Sequence, residues 1–317
     1  MLRERAIVGS FTLRLARYWA GGTVRLGMIV GEELLDLADC APEVPRTMTE
    51  LLLSLPRHRP LLERLERSGK NGEPLSALRL AAPVEEPRRF IAVGLNYREH
   101  ARELGQALPA RPRLFVKLAG ALTGPFEPVA APEFSATLDY EVELAFVIGQ
   151  RCRAIPRERA LEVIAGYVVL NDLSVREYVN ADQIILGKGC AGFAPCGPWL
   201  TTAEEVPDPQ GLQLRTWVNG ELRQDASTEQ MIFDCASLIE YITRAIELEP
   251  GDLITTGSPP GSGAACRPPA YLRVDDVVRT EVAGLGALQN LIVAERTGGK
   301  PRRPVQRSRK SISSDAA

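Results

Sequence analysis

The stretch Leu138-Asp139-Tyr140-Glu141-Val142-Glu143-Leu144-Ala145-Phe146-Val147-Ile148-Gly149 sets two glutamates two residues apart inside an apolar run. Strand side chains alternate between faces. Leu138, Tyr140, Val142, Leu144, Phe146 and Ile148 therefore form one apolar row, while Asp139, Glu141 and Glu143 share the other face before it turns apolar at Ala145 and Val147. Like charges roughly 7 Å apart on one face are unfavourable unless a cation lies between them. Asp172 follows the apolar run of residues 166–170, and a strand end can aim a side chain into a cleft, so it is the candidate third ligand. Three carboxylates suit a hard cation such as Mg²⁺, octahedral at roughly 2.1 Å, with positions left for water and a chelating substrate. The same spacing also describes the wet face of an antiparallel strand.

A second cluster is Gly94-Leu95-Asn96-Tyr97-Arg98-Glu99-His100-Ala101-Arg102-Glu103-Leu104-Gly105. Asn96 with Glu99 three residues on predicts a capped short helix, and Gly105 its end. On that helix His100 and Glu103 share a face. A carboxylate beside an imidazole orients the ring and makes a general base that can later return its proton; an exposed ion pair has the same spacing. The chain has only two histidines, and His58 lies in a Pro-Arg-His-Arg-Pro loop, so a catalytic imidazole is His100. Lys117, Arg176 and Lys188 are cations available to an anionic substrate. Thr256 and Gly257 open a Thr-Gly-Ser-Pro-Pro-Gly stretch whose hydroxyls and N–H groups suit a carboxylate. It lacks the Gly-Lys-Ser/Thr ending of a phosphate loop.

Positioning these groups falls to a strand-rich chain. Residues 6–39 read as a small β meander, residues 48–68 carry leucines at helical spacing interrupted by Pro56 and Pro60, and a boundary is predicted near residues 83–87. Strand-like runs follow at residues 90–93, 114–117, 140–148, 166–170, 212–218, 253–256 and 277–282, with helical patterns at 157–164 and 231–245. Many strands and few helices argue for a β-rich α+β fold rather than a Rossmann sheet. The division expected is a small N-terminal β-rich domain over residues 1–85, a catalytic domain over 86–296, and a disordered basic, serine-rich tail over 297–317.

At 317 residues the chain is long enough to bury a sizeable core. A formal net charge of −2 gives no basic field for nucleic acid or an anionic membrane, which leaves a small soluble ligand. Six cysteines without a Cys-x-x-Cys pair indicate reduced thiols. The charged N-terminus and the lack of a long apolar run predict a cytoplasmic protein without a signal peptide or membrane span.

Taken together, the segments resemble the fumarylacetoacetate hydrolase family. The matching pieces are Gly94-Leu95-Asn96-Tyr97 with His100-Ala101 and Glu103, Phe115 with Lys117, Asp139-Tyr140-Glu141-Val142-Glu143-Leu144, Asn171-Asp172 with Ser174 and Arg176, Gly187-Lys188, Val218-Asn219-Gly220-Glu221, Leu248-Glu249-Pro250-Gly251-Asp252, and Thr256-Gly257 with Pro259. The resemblance implies a mixed β-sandwich roll behind a small N-terminal β domain, a homodimer, and Mg²⁺ or Mn²⁺ held by Glu141, Glu143 and Asp172. It implies action on 2-oxo or 1,3-dioxo acids by C–C hydrolysis, decarboxylation or tautomerisation. In the hydrolytic version, taken first here, His100 supported by Glu103 deprotonates water, Lys188 stabilises oxyanion charge, and Arg176 and Thr256 hold the substrate. The helix carrying His100 resembles the family's lid. A lyase or isomerase on a related 2-oxo acid and an idle metal-binding homologue are the alternatives. Four positions depart from the family's pattern: Val179 replaces a frequent glutamine, Gly189-Cys190-Ala191 follows Lys188 where Ser-Phe-Asp is common, Leu118 replaces a proline, and Asp275 a turn glycine.

Overall fold

A computed structural model describes residues 12–295. The meander forms as expected, with β1 (Arg14–Ala20), β2 (Thr23–Val30) and β3 (Glu33–Asp36) joined by tight turns. After a single helical turn at Leu37–Cys40, two longer helices follow, α1 (Met48–Leu53) and α2 (Leu55–Arg67). His58, expected in a loop, is instead buried inside α2. Pro56 sits in the first turn of that helix, where its missing N–H costs nothing.

Next come β4 (Phe90–Gly94), α3 (Arg98–Glu103), β5 (Arg113–Val116), β6 (Leu138–Asp139), β7 (Val142–Ile148), β8 (Ile164–Asn171), α4 (Arg176–Asn180), α5 (Ile184–Lys188) and β9 (Ala194–Thr202). The chain closes with β10 (Gln213–Val218), β11 (Glu221–Ser227), α6 (Cys235–Thr243), β12 (Leu253–Thr255), β13 (Val277–Val282) and β14 (Gly286–Ala294). The 157–164 pattern folds as a 3-10 helix over Arg157–Val163.

One large sheet runs in the order β3-β2-β1-β9-β8-β7-β12-β4-β5, and a second holds β11-β10-β13-β14. The meander does not stand apart, because β1 pairs with β9 through Arg14↔Thr201 and Leu15↔Leu200. Its side chains share a core cluster with Val168, Leu170 and Cys196 of the large sheet.

β7 is buried along its whole length and on both faces. Val142, Leu144, Phe146 and Ile148 pack toward the second sheet and α6, while Ala145 and Val147 pack toward the helices after the meander. The expected continuous apolar row is broken at Tyr140–Glu141: Leu138 and Tyr140 belong to the second of these clusters, and β6 pairs with Ser174–Val175 rather than with β7's neighbours. Glu141 lies in that break, and Glu143 just inside β7. Among the described residues no helix is long and apolar enough to cross a membrane, and all six cysteines are free. The 297–317 tail lies outside the described residues.

Candidate metal and acid–base site

Strand pairing brings the three acids together. β7 opposes β8 through Val142↔Asn171 and Glu143↔Leu170, and the Asp172 N–H donates to the Glu141 carbonyl at 2.8 Å just past the paired ends. Glu141, Glu143 and Asp172 are 6%, 1% and 0% exposed, which rules out the wet-face reading. Each offers an oxygen within 4.8 Å of the others. Four buried carboxylates, these three and Asp139, face three cations. Arg176 bonds Asp139 at 2.7 Å and Glu141 at 2.8 Å, Lys188 bonds Glu141 and Asp172 at 2.5 Å each, and Lys117 bonds Asp172 at 2.5 Å.

Glu143 is left over. Its carboxylate accepts the Gly257 N–H at 2.8 Å but forms no ion pair among the described residues. Burial, reinforced by the charges of Asp172 and Glu141, pushes its carboxyl well above the usual range. Burial acts on Glu141 in the same direction, but Arg176 and Lys188 outweigh it and hold that carboxyl well below the usual range. An all-oxygen donor set with one uncompensated carboxylate fits a hard divalent cation such as Mg²⁺ or Mn²⁺.

Lys117 lies behind the triad, contrary to the expectation of substrate contact. It is 2% exposed, and its three N–H groups are taken by Asp172, the Lys188 carbonyl at 2.7 Å and the Phe193 carbonyl at 3.2 Å. Burial lowers its ammonium from the ordinary value more than Asp172 raises it. For Lys188 the balance is reversed: burial opposes the charge, Asp172 and Glu141 outweigh burial, and the ammonium is raised. Gly187 explains how Lys188 gets there. A Cβ at Gly187 would lie 2.6 Å from Val179 Cγ2 and 3.0 Å from the Val175 carbonyl, so only glycine lets α5 seat against α4 with Lys188 over the acids.

His100 Nδ1 and Glu103 Oε2 are 3.0 Å apart, and Glu103 also accepts the Gly261 N–H at 3.0 and 3.3 Å. With Nδ1 engaged, Nε2 is the ring atom free to take a proton. Asn96 does not cap α3: Tyr97 occupies that position, and the Asn96 amide ties Phe233 and Thr256 backbone groups instead. The helix does end as expected, with Gly105 N–H to Arg102 and Gln106 N–H to Ala101. The Thr256 hydroxyl donates to the Leu144 carbonyl at 2.8 Å and the Gly257 N–H to Glu143, so these donors serve the protein and not a ligand carboxylate. His100, Glu141, Glu143, Arg176, Val179 and Lys188 all line one cavity of about 430 Å³. Asp139, which no spacing marked as more than a neighbour, holds Arg176 in place and takes the Gly263 and Ala264 N–H groups.

A profile of the fumarylacetoacetate (FAA) hydrolase C-terminal domain matches residues 89–293. The chain belongs to the fumarylacetoacetate hydrolase family. Over 291 residues this family member is 35% identical to the mitochondrial oxaloacetate tautomerase fahd2 of Xenopus laevis, covering 90% of this chain and 91% of that one. A probable 2-hydroxyhepta-2,4-diene-1,7-dioate isomerase from Mycobacterium abscessus matches with a TM-score of 0.77 at 32% identity, over 90% of this chain and 100% of that one. Maleylpyruvate hydrolase from a Sphingobium species, solved with manganese(II) and pyruvate, matches with a TM-score of 0.76 at 31% identity, over 89% and 100%. Tautomerase, isomerase and hydrolase thus share this β-rich fold. The departures from the family's pattern have visible consequences: Val179 puts an apolar group on the cavity wall, and Asp275 adopts φ +75°, a conformation that favours glycine.

Proposed function

We propose that this family member is a divalent-metal-dependent enzyme that interconverts the keto and enol forms of a short 2-oxo acid, with oxaloacetate the leading candidate. The observation that carries the reading is one cavity lined by Glu141 and Glu143 of the buried acidic triad and by His100, whose Nδ1 is held by Glu103. Glu141, Glu143 and Asp172 would hold the cation, which when bound polarises the 2-oxo group and lowers the energy of the enolate. His100 Nε2 takes the proton from the carbon next to the carbonyl and returns it to the enolate oxygen. Glu103 keeps the ring aimed. Lys188, with two of its three N–H groups engaged by Glu141 and Asp172, has one left to donate to the developing oxyanion. The apolar Val179 favours this reaction over hydrolysis, which must also hold an attacking water.

The second reading is C–C hydrolysis of an acylpyruvate-like acid, favoured by the same His100–Glu103 pair acting on water. Purified protein with Mg²⁺ or Mn²⁺ is given oxaloacetate and acylpyruvates while enol absorbance, CO₂ and acid products are followed. Faster enol equilibration without a second product is expected, falling about 10²- to 10⁴-fold in His100→Ala. Two acid products would replace the proposal with hydrolysis, CO₂ with decarboxylation, and no turnover with an idle binding protein.

A further inference from the structure

The same cavity holds one guanidinium with nothing acidic bonded to it. Lys188 and Arg176 are engaged by Asp139, Glu141 and Asp172. Arg113, on the cavity wall, forms no ion pair among the described residues; its side chain meets only the neutral Gln106 Oε1, at 2.9 Å. β5 and the residue after it set the direction. Lys117 reaches Asp172, the Phe115 ring lies 5.3 Å from Lys188 Nζ, and Arg113 is the next alternate residue outward. At about 7 Å per two residues, the three side chains form a row from the acids to the rim.

The floor of this cavity is acidic and its cations are already matched, whereas its rim carries an unmatched planar donor fork. The Gln106 amide, its oxygen turned to Arg113, keeps two N–H donors beside that fork. We propose that Arg113, with Gln106, receives the remote carboxylate of a 2-oxo dicarboxylate and is the residue that selects dicarboxylates over monocarboxylates. This rests on the reading of the site as one that binds 2-oxo acids at the triad. A guanidinium donates two parallel N–H bonds to a carboxylate, which a monocarboxylate of the same length leaves unmade. Asp182 also lines this cavity and is the acidic group that would compete with a ligand for this guanidinium.

The test is calorimetric binding of three probes to the full Mn²⁺-loaded chain: oxalate, which cannot enolise, and the length-matched pair 2-oxopentanoate and 2-oxoglutarate, neither of which changes net composition on enolising. Wild-type protein is expected to bind 2-oxoglutarate about 10- to 100-fold more tightly than 2-oxopentanoate. Arg113→Leu removes that preference while leaving the other two dissociation constants and the melting temperature unchanged, and Arg113→Lys restores part of it. Equal binding of the two 2-oxo acids by wild type overturns the proposal, as does an Arg113→Leu loss shared by all three probes, which would mark Arg113 as a partner of Asp182. If no probe binds, the 2-oxo acid reading falls too. If the preference is seen without any enolisation, only the proposed reaction fails.

Discussion

At the level of single side chains, the site is organised by an imbalance of charge. Glu143 is the buried carboxylate without a cation, so Glu143→Gln should leave the metal-free fold at least as stable, since the amide oxygen can still accept the Gly257 N–H. The same variant should lose most of the thermal shift that Mn²⁺ gives wild type, a gain of about 2.7 kcal/mol at a hundredfold excess over Kd. Melting curves with and without MnCl₂ check this; an unaltered metal response would remove Glu143 from the ligand set. Lys117→Met should act oppositely, costing about 3–5 kcal/mol because Asp172 loses a buried partner. The triad was legible because carboxylates inside an apolar run are costly without a reason. Asp139 and Arg113 were not, because their partners, Arg176 on a helix 37 residues away and Gln106 in the loop 7 residues before, follow no strand or helix period.

Among the elements, α6 offers the clearest pH signature. Its N-cap, Asp234, accepts the Ser237 N–H at 2.8 Å and an Arg157 N–H at 2.7 Å. Burial raises this carboxyl, but Arg157 and the Ser237 N–H outweigh it, and the net shift is downward. A depressed carboxyl stabilises the fold above its unfolded value of about 4 and loses that contribution as pH falls through the lower folded value. Asp234→Ala should therefore cost about 1 kcal/mol at neutral pH, and the gap between the two proteins should close as pH falls below about 4. Urea midpoints measured along a pH series test this; a gap constant to the acid limit would mean the cap works without its charge. Strands with clean alternation, such as β13, were read directly from the sequence. β11 and β14 were hidden because Gln224 and Asn290 point inward while Leu222 and Leu291 are exposed. β9 was hidden by Pro195, Gly197 and Pro198, which read as loop.

Across the whole molecule, the large sheet joins what the sequence separates. β1 covers the β9 edge, and Arg17 donates to the Ala82 and Val84 carbonyls at the expected boundary. A fragment of residues 86–296 should lack a cooperative thermal transition, because it leaves that strand edge and the shared core open to water. A sharp melt of the isolated fragment would show that the meander is dispensable. Fold class was legible from strand count and punctuation; this continuity was not, since no local pattern records the pairing of residues 14 and 201.

The bond between Glu103 and Gly261 ties geometry to timing. Gly261 has φ +98°, and a Cβ there would lie 2.1 Å from the Arg223 carbonyl, so the backbone donor is fixed in the body of the protein. Because His100 and Glu103 both lie on α3, any outward displacement of that helix would carry imidazole and carboxylate away together and leave only that donor behind. The carboxylate would then lose its tie to Gly261, and the pair its placement over the acids. On the proposed reaction, proton abstraction would therefore require α3 to be seated against that donor, and a ligand met with α3 displaced would meet a misplaced base.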